Sequence, residues 1–172
     1  MSLRRFAVPV AFVACFAAAT AFAQATTLTV LHVSDTHSHL DMTGPKDANL
    51  DGTLGGIAKA ATVIGMTKMT EPNVLTLHGG DVFHGDFFFN KYFGVAELQL
   101  MQALGFDAMT IGNHEFDLGP STLAYVLPTA FGTPSMPLLS ANLDFSKVPE
   151  LGLDAWITPA TMKNIGGCPG SH

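Results

Sequence analysis

Three short polar clusters in the sequence contain residue types that bind metal ions or transfer protons. They are Asp35-Thr36-His37, Gly79-Gly80-Asp81 and Gly112-Asn113-His114-Glu115-Phe116-Asp117. Their carboxylate, imidazole and amide groups, with no thiolate among them, suit Zn²⁺, Mn²⁺ or Fe²⁺ better than a soft metal. The clusters therefore predict a metal site built from hard ligands.

The spacing of the first two clusters suggests how metal ions would be shared. Asp35 and His37 are two residues apart, so in an extended segment their side chains would point the same way and chelate one ion. Asp81 follows two glycines that let the backbone approach closely. A carboxylate at such a position can bridge two cations roughly 3.5–4 Å apart, as in two-metal hydrolases.

The third cluster suggests a proton donor. His114 directly follows Asn113 and cannot easily bind the same ion in the same direction, so it is better placed to protonate a leaving oxygen. Asp117 lies one helical turn further on and could orient the imidazole and raise its pKa. Asp117 could equally cap the helix that follows, and the two roles are compatible.

The clusters follow segments that read as strands, over residues 28–34, 74–77 and 108–111. Helical spacing is found between them, so the order of elements predicts an α/β fold with a parallel-stranded sheet flanked by helices. Sites in such sheets form beyond the carboxyl ends of the strands, where the clusters should converge. The remaining expected elements are helices over 57–69, 95–104 and 121–131 (interrupted at Pro128), a loop over 41–56, and strands over 137–141 and 156–158.

Residues 1–25 are expected to be a signal peptide. Arg4 and Arg5 precede an apolar run over 6–22, and two small-x-small cleavage candidates follow. The alternatives are an uncleaved membrane anchor, because the run approaches the length of a span, or a lipid anchor at Cys15. Removal is the preferred interpretation, so we expect a periplasmic or secreted protein without a stable membrane anchor. Residues 168–172, around Cys168, are expected to form a tail.

Composition excludes some classes of protein. The chain is 48% hydrophobic and 13% charged, which excludes an intrinsically disordered chain. Eight basic residues against fourteen acidic ones give a net charge of −6, which argues against a nucleic acid polymer as partner. Without residues 1–25 no arginine remains, and six lysines against fourteen acidic residues give −8.

Taken in order, the three clusters resemble the first three motifs of calcineurin-like metallophosphoesterases. The complete motif Gly-Asn-His-Glu-Phe-Asp is similar to that of the secreted 5′-nucleotidase subfamily. The resemblance extends from residue 28 to about 167. It implies that residues 26–167 are the N-terminal portion, about half, of a four-layer αββα catalytic domain.

The resemblance also implies a function and a role for each residue. Two divalent metal ions (Zn, Mn or similar) would activate water and neutralise phosphate charge in a phosphoester hydrolase that dephosphorylates nucleotides or other phosphomonoesters. The implied assignments are Asp35 and His37 to the first ion, Asp81 to both, Asn113 to the second, and His114 with Asp117 to a catalytic dyad.

The sequence departs from this family after its third motif. The later Gly-His and Gly-His-x-His motifs are not found, and the terminal His172 is the one histidine after His114. We therefore expect an incomplete chain that lacks a C-terminal half or substrate-binding domain. The alternatives are a non-catalytic metal-binding or interaction fragment or, within the enzyme class, a relative of 2′,3′-cyclic-nucleotide phosphodiesterases or thiosulfohydrolases.

Several residues near the clusters are expected to have no direct chemical role. Glu115 reads as a charge in the first turn of a helix, and His32 as a buried, hydrogen-bonded strand residue. His39 and His78 are expected either behind the ligands or at the surface. His84 could line the mouth of the site together with Asp86, but a plain loop is preferred.

The phenylalanines that follow the second cluster allow two interpretations. Phe83 and residues 87–89 could stack on a substrate, but packing against a missing partner domain is preferred.

Overall fold

The computed structural model describes residues 26–46 and 52–159. The expected signal peptide and tail lie outside these residues. Within the described part of the chain, no helix combines the length and apolar character needed to cross a membrane.

One parallel sheet organises the fold. The strands found in the described residues are β1 (Thr29–Val33), β2 (Thr43–Lys46), β3 (Gly52–Leu54), β4 (Val74–His78), β5 (Ala108–Thr110), β6 (Leu138–Ser140) and β7 (Ile157–Pro159). β1, β4, β5, β6 and β7 form the sheet in that order, and each pairs with its neighbours in parallel. The predicted α/β fold with a parallel sheet is confirmed.

Helices and short 3₁₀ turns connect the strands. The α-helices are α1 (Ile57–Thr70), α2 (Phe87–Tyr92), α3 (Val95–Ala103) and α4 (Pro120–Phe131). The 3₁₀ turns cover His114–Phe116, Pro149–Leu151 and Leu153–Ala155. At the end of α3, Gly105 has a φ of 70°, and its N–H donates to the carbonyl of Gln102. A residue with a side chain would be strained at this position.

The core lies where α3 and α4 pack with the sheet. α4 contributes an apolar stripe at helical spacing, formed by Leu123, Val126, Leu127 and Ala130, all of them buried. Strands and the other helices complete the core with Leu98, Met101, Met109, Leu138 and Ile157. By contrast, Ile64 is the one buried residue of α1.

Two segments differ from the prediction. The expected break at Pro128 is wrong, since α4 continues through it and the N–H of Gly132 donates to its carbonyl at 2.9 Å. A proline inside a helix costs about 3 kcal/mol. Burial of one valine or leucine side chain stabilises the fold by about 1.5–3 kcal/mol, so burial of the four-residue stripe exceeds the destabilisation caused by the proline. The loop expected over 41–56 contains the antiparallel pair β2 and β3.

The phenylalanine segment contains a helix that the sequence did not predict. The Asp86 carboxylate accepts a hydrogen bond from the N–H of Phe87 at 2.6 Å and begins α2, which is too short for its periodicity to be recognised. Phe83 and Phe89 are buried against each other, with ring centroids 5.7 Å apart. The prediction that Phe83 packs on a substrate or partner is therefore wrong, whereas Phe87 is exposed.

The expected burial of His32 is also wrong. β1 lies at the edge of the sheet, and its residues alternate between exposed and half-buried, with His32 among the exposed ones.

Glu97, in the first turn of α3, generates a prediction about stability. It is buried, and neither carboxylate oxygen has a hydrogen-bond partner among the described residues. An unpartnered buried polar group costs about 1–3 kcal/mol. The favourable interaction of an acidic residue in the first turn with the helix dipole stabilises the helix by only about 0.3–1 kcal/mol. Glu97→Leu should therefore raise the free energy of unfolding by about 1–2 kcal/mol, measured by urea denaturation.

Glu150→Leu is the control, because Glu150 is exposed and its substitution should change stability by less than about 0.5 kcal/mol. A lower stability of Glu97→Leu would contradict the prediction and indicate that the carboxylate is hydrogen-bonded in solution.

Candidate active site

The loops that follow β1, β4 and β5 meet at one edge of the sheet. The N–H of Asp35 donates to the carbonyl of Gly80 at 3.0 Å, and the N–H of His37 donates to that of Asp81 at 3.1 Å. Asp81 Oδ1 in turn accepts a hydrogen bond from the N–H of His114 at 3.0 Å. The structure thus joins the three polar clusters through hydrogen bonds that backbone N–H groups donate.

Two glycines make this approach possible. A Cβ on Gly112 would lie 2.1 Å from Asp81 Oδ1, and a Cβ on Gly80 would lie 2.7 Å from the amide nitrogen of Gly112. Gly80 also has a φ of 93°, where other residues are strained. The second and third loops can therefore touch only with glycine at both positions.

The hydrogen bonds of His37 determine which ring nitrogen is available. Its Nδ1 lies 3.1 Å from the carbonyl oxygen of Phe83 and 2.9 Å from that of His84. Because carbonyls only accept, Nδ1 must carry the proton. In the neutral ring Nε2 then keeps its lone pair, which is the usual arrangement of a metal-binding histidine.

Three of the expected site residues converge. Donor atoms of His37, Asp81 and His114 all lie within 4.8 Å of one another, and the rings of the two histidines meet edge to face at a centroid distance of 4.7 Å. Two imidazoles and a carboxylate suit Zn²⁺ or Mn²⁺, so these residues fit a divalent metal ion.

Of the other two expected ligands, Asp35 does not belong to this group of histidines and carboxylates. Asp35 and Asn113 both have exposed side chains. The extended backbone expected between Asp35 and His37 is wrong, since their φ angles are 53° and 45° and both residues are left-handed. The tight turn follows because their amides bond the neighbouring loop instead of continuing β1.

Asp117 bonds two histidines. Its Oδ2 lies 2.6 Å from Nδ1 of His114 and 2.8 Å from Nδ1 of His84. The bond to Asp117 raises the pKa of the His114 imidazole, and bonds to His114 and then His84 lower the pKa of the Asp117 carboxyl. The capping alternative for Asp117 is not adopted, because Gly119 occupies the N-cap position of α4.

His84 belongs to this cluster, although the sequence predicted a plain loop. Its ring stacks on that of Phe89, with centroids 5.5 Å apart and planes 7° apart. Donor atoms of His84, His114 and Asp117 lie within 4.8 Å of one another and form a second group able to hold a metal ion. The sequence suggested His84 only as a possible residue of the site mouth and did not predict its bond with Asp117, which spans 33 residues.

Glu115 lies in the 3₁₀ turn His114–Phe116, as a first-turn acid, but its surroundings were not predicted. It is buried, and its carboxylate accepts hydrogen bonds from backbone N–H groups of the second and third loops. The donors are Gly112 and Asp81 to Oε2, at 2.7 and 3.0 Å, and Val82 and Phe83 to Oε1, at 2.7 and 3.3 Å. No sequence feature separates such a residue from an ordinary first-turn acid.

His78 lies behind the site, between the first and second loops, whereas His39 is at the surface. The N–H of Gly80 donates to Nδ1 of His78 at 3.1 Å, so Nε2 carries the ring proton and faces Thr36 Oγ1 at 3.2 Å. Burial, reinforced by nearby His32, lowers the pKa of His78 from 6.5 to about 4. The neutral ring joins the two loops.

Comparison with known proteins identifies the family. The family model described as calcineurin-like phosphoesterase matches residues 28–164. The chain belongs to the calcineurin-like phosphoesterases. This is a family of hydrolases, and the expected resemblance is confirmed.

Relatives of this phosphoesterase include proteins named for action on nucleotides. It is 41% identical over 135 residues to a trifunctional nucleotide phosphoesterase of Bacillus subtilis, covering 72% of this chain and 8% of that protein. It is 40% identical over 119 residues to the 5′-nucleotidase of Bos taurus, covering 67% and 20%. The structure of a 5′-nucleotidase precursor from Thermus thermophilus matches with a TM-score of 0.65 and 37% identity, covering 76% and 24%. The chain thus spans a quarter or less of each.

The buried His78 predicts how stability depends on pH. Between pH 6.5 and about 4 the folded phosphoesterase binds fewer protons than the unfolded chain, because burial disfavours protonation of His78. The free energy of unfolding is therefore unaffected by protonation of His78 above pH 6.5 and decreases as the pH falls from 6.5 towards 4. At about 1.4 kcal/mol per pKa unit, the loss should reach roughly 3 kcal/mol. Urea denaturation at several pH values measures it.

His78→Gln is the comparison, since it removes the titrating group. Its stability should fall less than that of the wild type between pH 6.5 and 4. If the free energy of unfolding decreased equally with falling pH in the wild type and in His78→Gln, His78 would not be the cause of the decrease.

Proposed function

We propose that this phosphoesterase removes phosphate from nucleotides in a reaction that depends on two divalent metal ions. The observation that carries the proposal is the convergence of donor atoms of His37, Asp81 and His114 beside the hydrogen bond between His114 and Asp117. Relatives named 5′-nucleotidase and nucleotide phosphoesterase support the choice of nucleotides.

The metal ions would be held by Asp35, His37, Asp81 and Asn113, with Asp81 shared between them. His37 offers Nε2, because Nδ1 is engaged by two carbonyls. Zn²⁺ or Mn²⁺ bound here would neutralise phosphate charge and lower the pKa of water, which is the chemistry that divalent ions supply to hydrolases. The chain beyond residue 25 has no arginine for that task.

Although a donor atom of His114 lies close to those of His37 and Asp81, we assign His114 to protonation of the leaving oxygen and not to metal binding. The Asp117 carboxylate bonds Nδ1, so Nε2 is the atom that can deliver a proton, and the same bond raises the pKa of the imidazole. A raised pKa keeps the protonated form populated at higher pH, as a general acid requires.

A second candidate function is a non-catalytic metal-binding or interaction fragment. It is favoured by the positions of the donors, because Asp35 is exposed and does not belong to the group formed by His37, Asp81 and His114, and three donors are too few to enclose two ions. In this case metal would bind without phosphate release.

Phosphate release from adenosine 5′-monophosphate tests the proposal. The full-length gene product, loaded with Mn²⁺ or Zn²⁺, should release phosphate, and chelation of the metal should abolish the activity. His114→Ala should lower kcat by about 10²–10⁴-fold while metal content is retained, because a general acid contributes that much. Asp117→Asn should move the alkaline limb of the pH–rate profile to lower pH.

Asp86→Asn is a matched control, since Asp86 caps α2 and should leave the pH profile unchanged. Metal binding without hydrolysis of nucleotides or of p-nitrophenyl phosphate would reject the proposed hydrolase activity and favour the non-catalytic metal-binding function.

We further propose that the protein is exported and that the leader is removed. Mass spectrometry of the protein from the periplasm or culture medium should find an N-terminus at residue 24 or 26, after one of the two small-x-small sites. Recovery of the protein with residues 1–25 in the membrane fraction would support an anchor instead.

A further inference from the structure

The Glu115 carboxylate connects two of the loops that form the site. It is 2% exposed and accepts one hydrogen bond from its own loop, at Gly112, and three from the loop after β4, at residues 81–83. Hydrogen bonds between a carboxylate and backbone N–H groups are roughly twice as strong as neutral ones.

These four bonds also exclude Glu115 as a metal ligand in this arrangement. An ionised carboxylate has about four lone-pair sites, and four N–H groups occupy them here. Glu115 therefore has no acceptor site left for a metal ion or for a proton of a substrate.

The loop that Glu115 holds is strained. Asp81 is left-handed, with a φ of 57°, directly after Gly80, with a φ of 93°. Such a conformation costs a non-glycine residue about 1–3 kcal/mol and persists only when its surroundings enforce it. The N–H of Asp81 and that of Val82 both bond Glu115, so the carboxylate holds the strained residue from both sides.

The position of Asp81 affects the other donors of the site. Its carbonyl accepts the N–H of His37, and its Oδ1 accepts the N–H of His114. A rotation of the backbone at Asp81 would therefore displace both histidines relative to each other.

We propose that Glu115 is a positioning residue that sets the geometry of His37, Asp81 and His114 without touching metal or substrate. This rests on the proposed function, because it assigns Glu115 to the metal centre that the hydrolysis would use. Glu115 acts by holding the backbone of both loops, so its loss should weaken metal binding more than it disturbs the fold.

Glu115→Gln tests this proposal with little change in volume. Its amide NH₂ would face two of the four N–H donors and turn two hydrogen bonds into repulsive contacts. Mn²⁺ binding to the full-length gene product, followed by the electron paramagnetic resonance signal of free Mn²⁺, should weaken by about 10–100-fold, as is usual when a partner of the metal ligands is lost. Thermal unfolding should remain cooperative.

Glu97→Gln is the matched control, because Glu97 is an equally buried glutamate whose oxygens have no hydrogen-bond partner among the described residues. It should leave Mn²⁺ affinity unchanged. An unchanged affinity in Glu115→Gln, or equal losses in both variants, would overturn the positioning role.

A second measurement does not depend on the folding of any variant. In the wild type, hydrogen exchange should be slow in peptides that contain the amides of residues 81–83 and 112, since these bond a buried carboxylate. Exchange as fast as in exposed loops would overturn the proposal. A wild type that binds Mn²⁺ but hydrolyses no nucleotide would reject the proposed function alone, and one that binds no Mn²⁺ would reject both.

Discussion

Two loop backbones, those around Gly80 and Gly112, approach so closely that neither residue can carry a side chain. A Cβ at either position would lie within 2.7 Å of an atom of the other loop. This contact follows from the parallel pairing of β4 with β5, whose carboxyl ends deliver both loops to the same edge. Backbone N–H groups crowded there need acceptors, because a buried unpaired amide is costly. The Glu115 carboxylate provides them.

Around this contact, two buried side chains hold the groups that would do the chemistry. Glu115 joins the second and third loops through a negative charge, and neutral His78 joins the first and second. Asp81 lies between them and reaches His37 and His114 through its own backbone and carboxylate. The arrangement brings carboxylates together in a chain whose net charge is −6, so under the proposed function divalent cations would offset the repulsion between this charge and a phosphate.

Much of the fold could be predicted because its signals are local. The strands before Asp35, Asp81 and Asn113 were recognised from apolar, β-branched runs, and their order predicted the parallel sheet. The errors have physical causes. α2 spans six residues, too few for a helical period. Pro128 is tolerated because the stripe of α4 is buried, a tertiary effect that propensity does not contain. β1 lies at an edge, which exposes His32.

By itself the sequence determined which metal-binding and proton-transferring residues are present and the order of the strands that precede them. It also determined the edge of the sheet at which these residues lie. Only the tertiary structure decided how that chemistry is held. In the structure, His84 and His114 both bond the same oxygen of Asp117, and the ring proton of His37 is on Nδ1. Glu115 is buried and accepts backbone hydrogen bonds. The reason is that His84 and Asp117 are distant in the sequence, as are most of the partners of His37 and Glu115, and that His37 and Glu115 bond backbone C=O and N–H groups. Every residue except proline has both groups, so no pattern of side chains reveals which of them will meet.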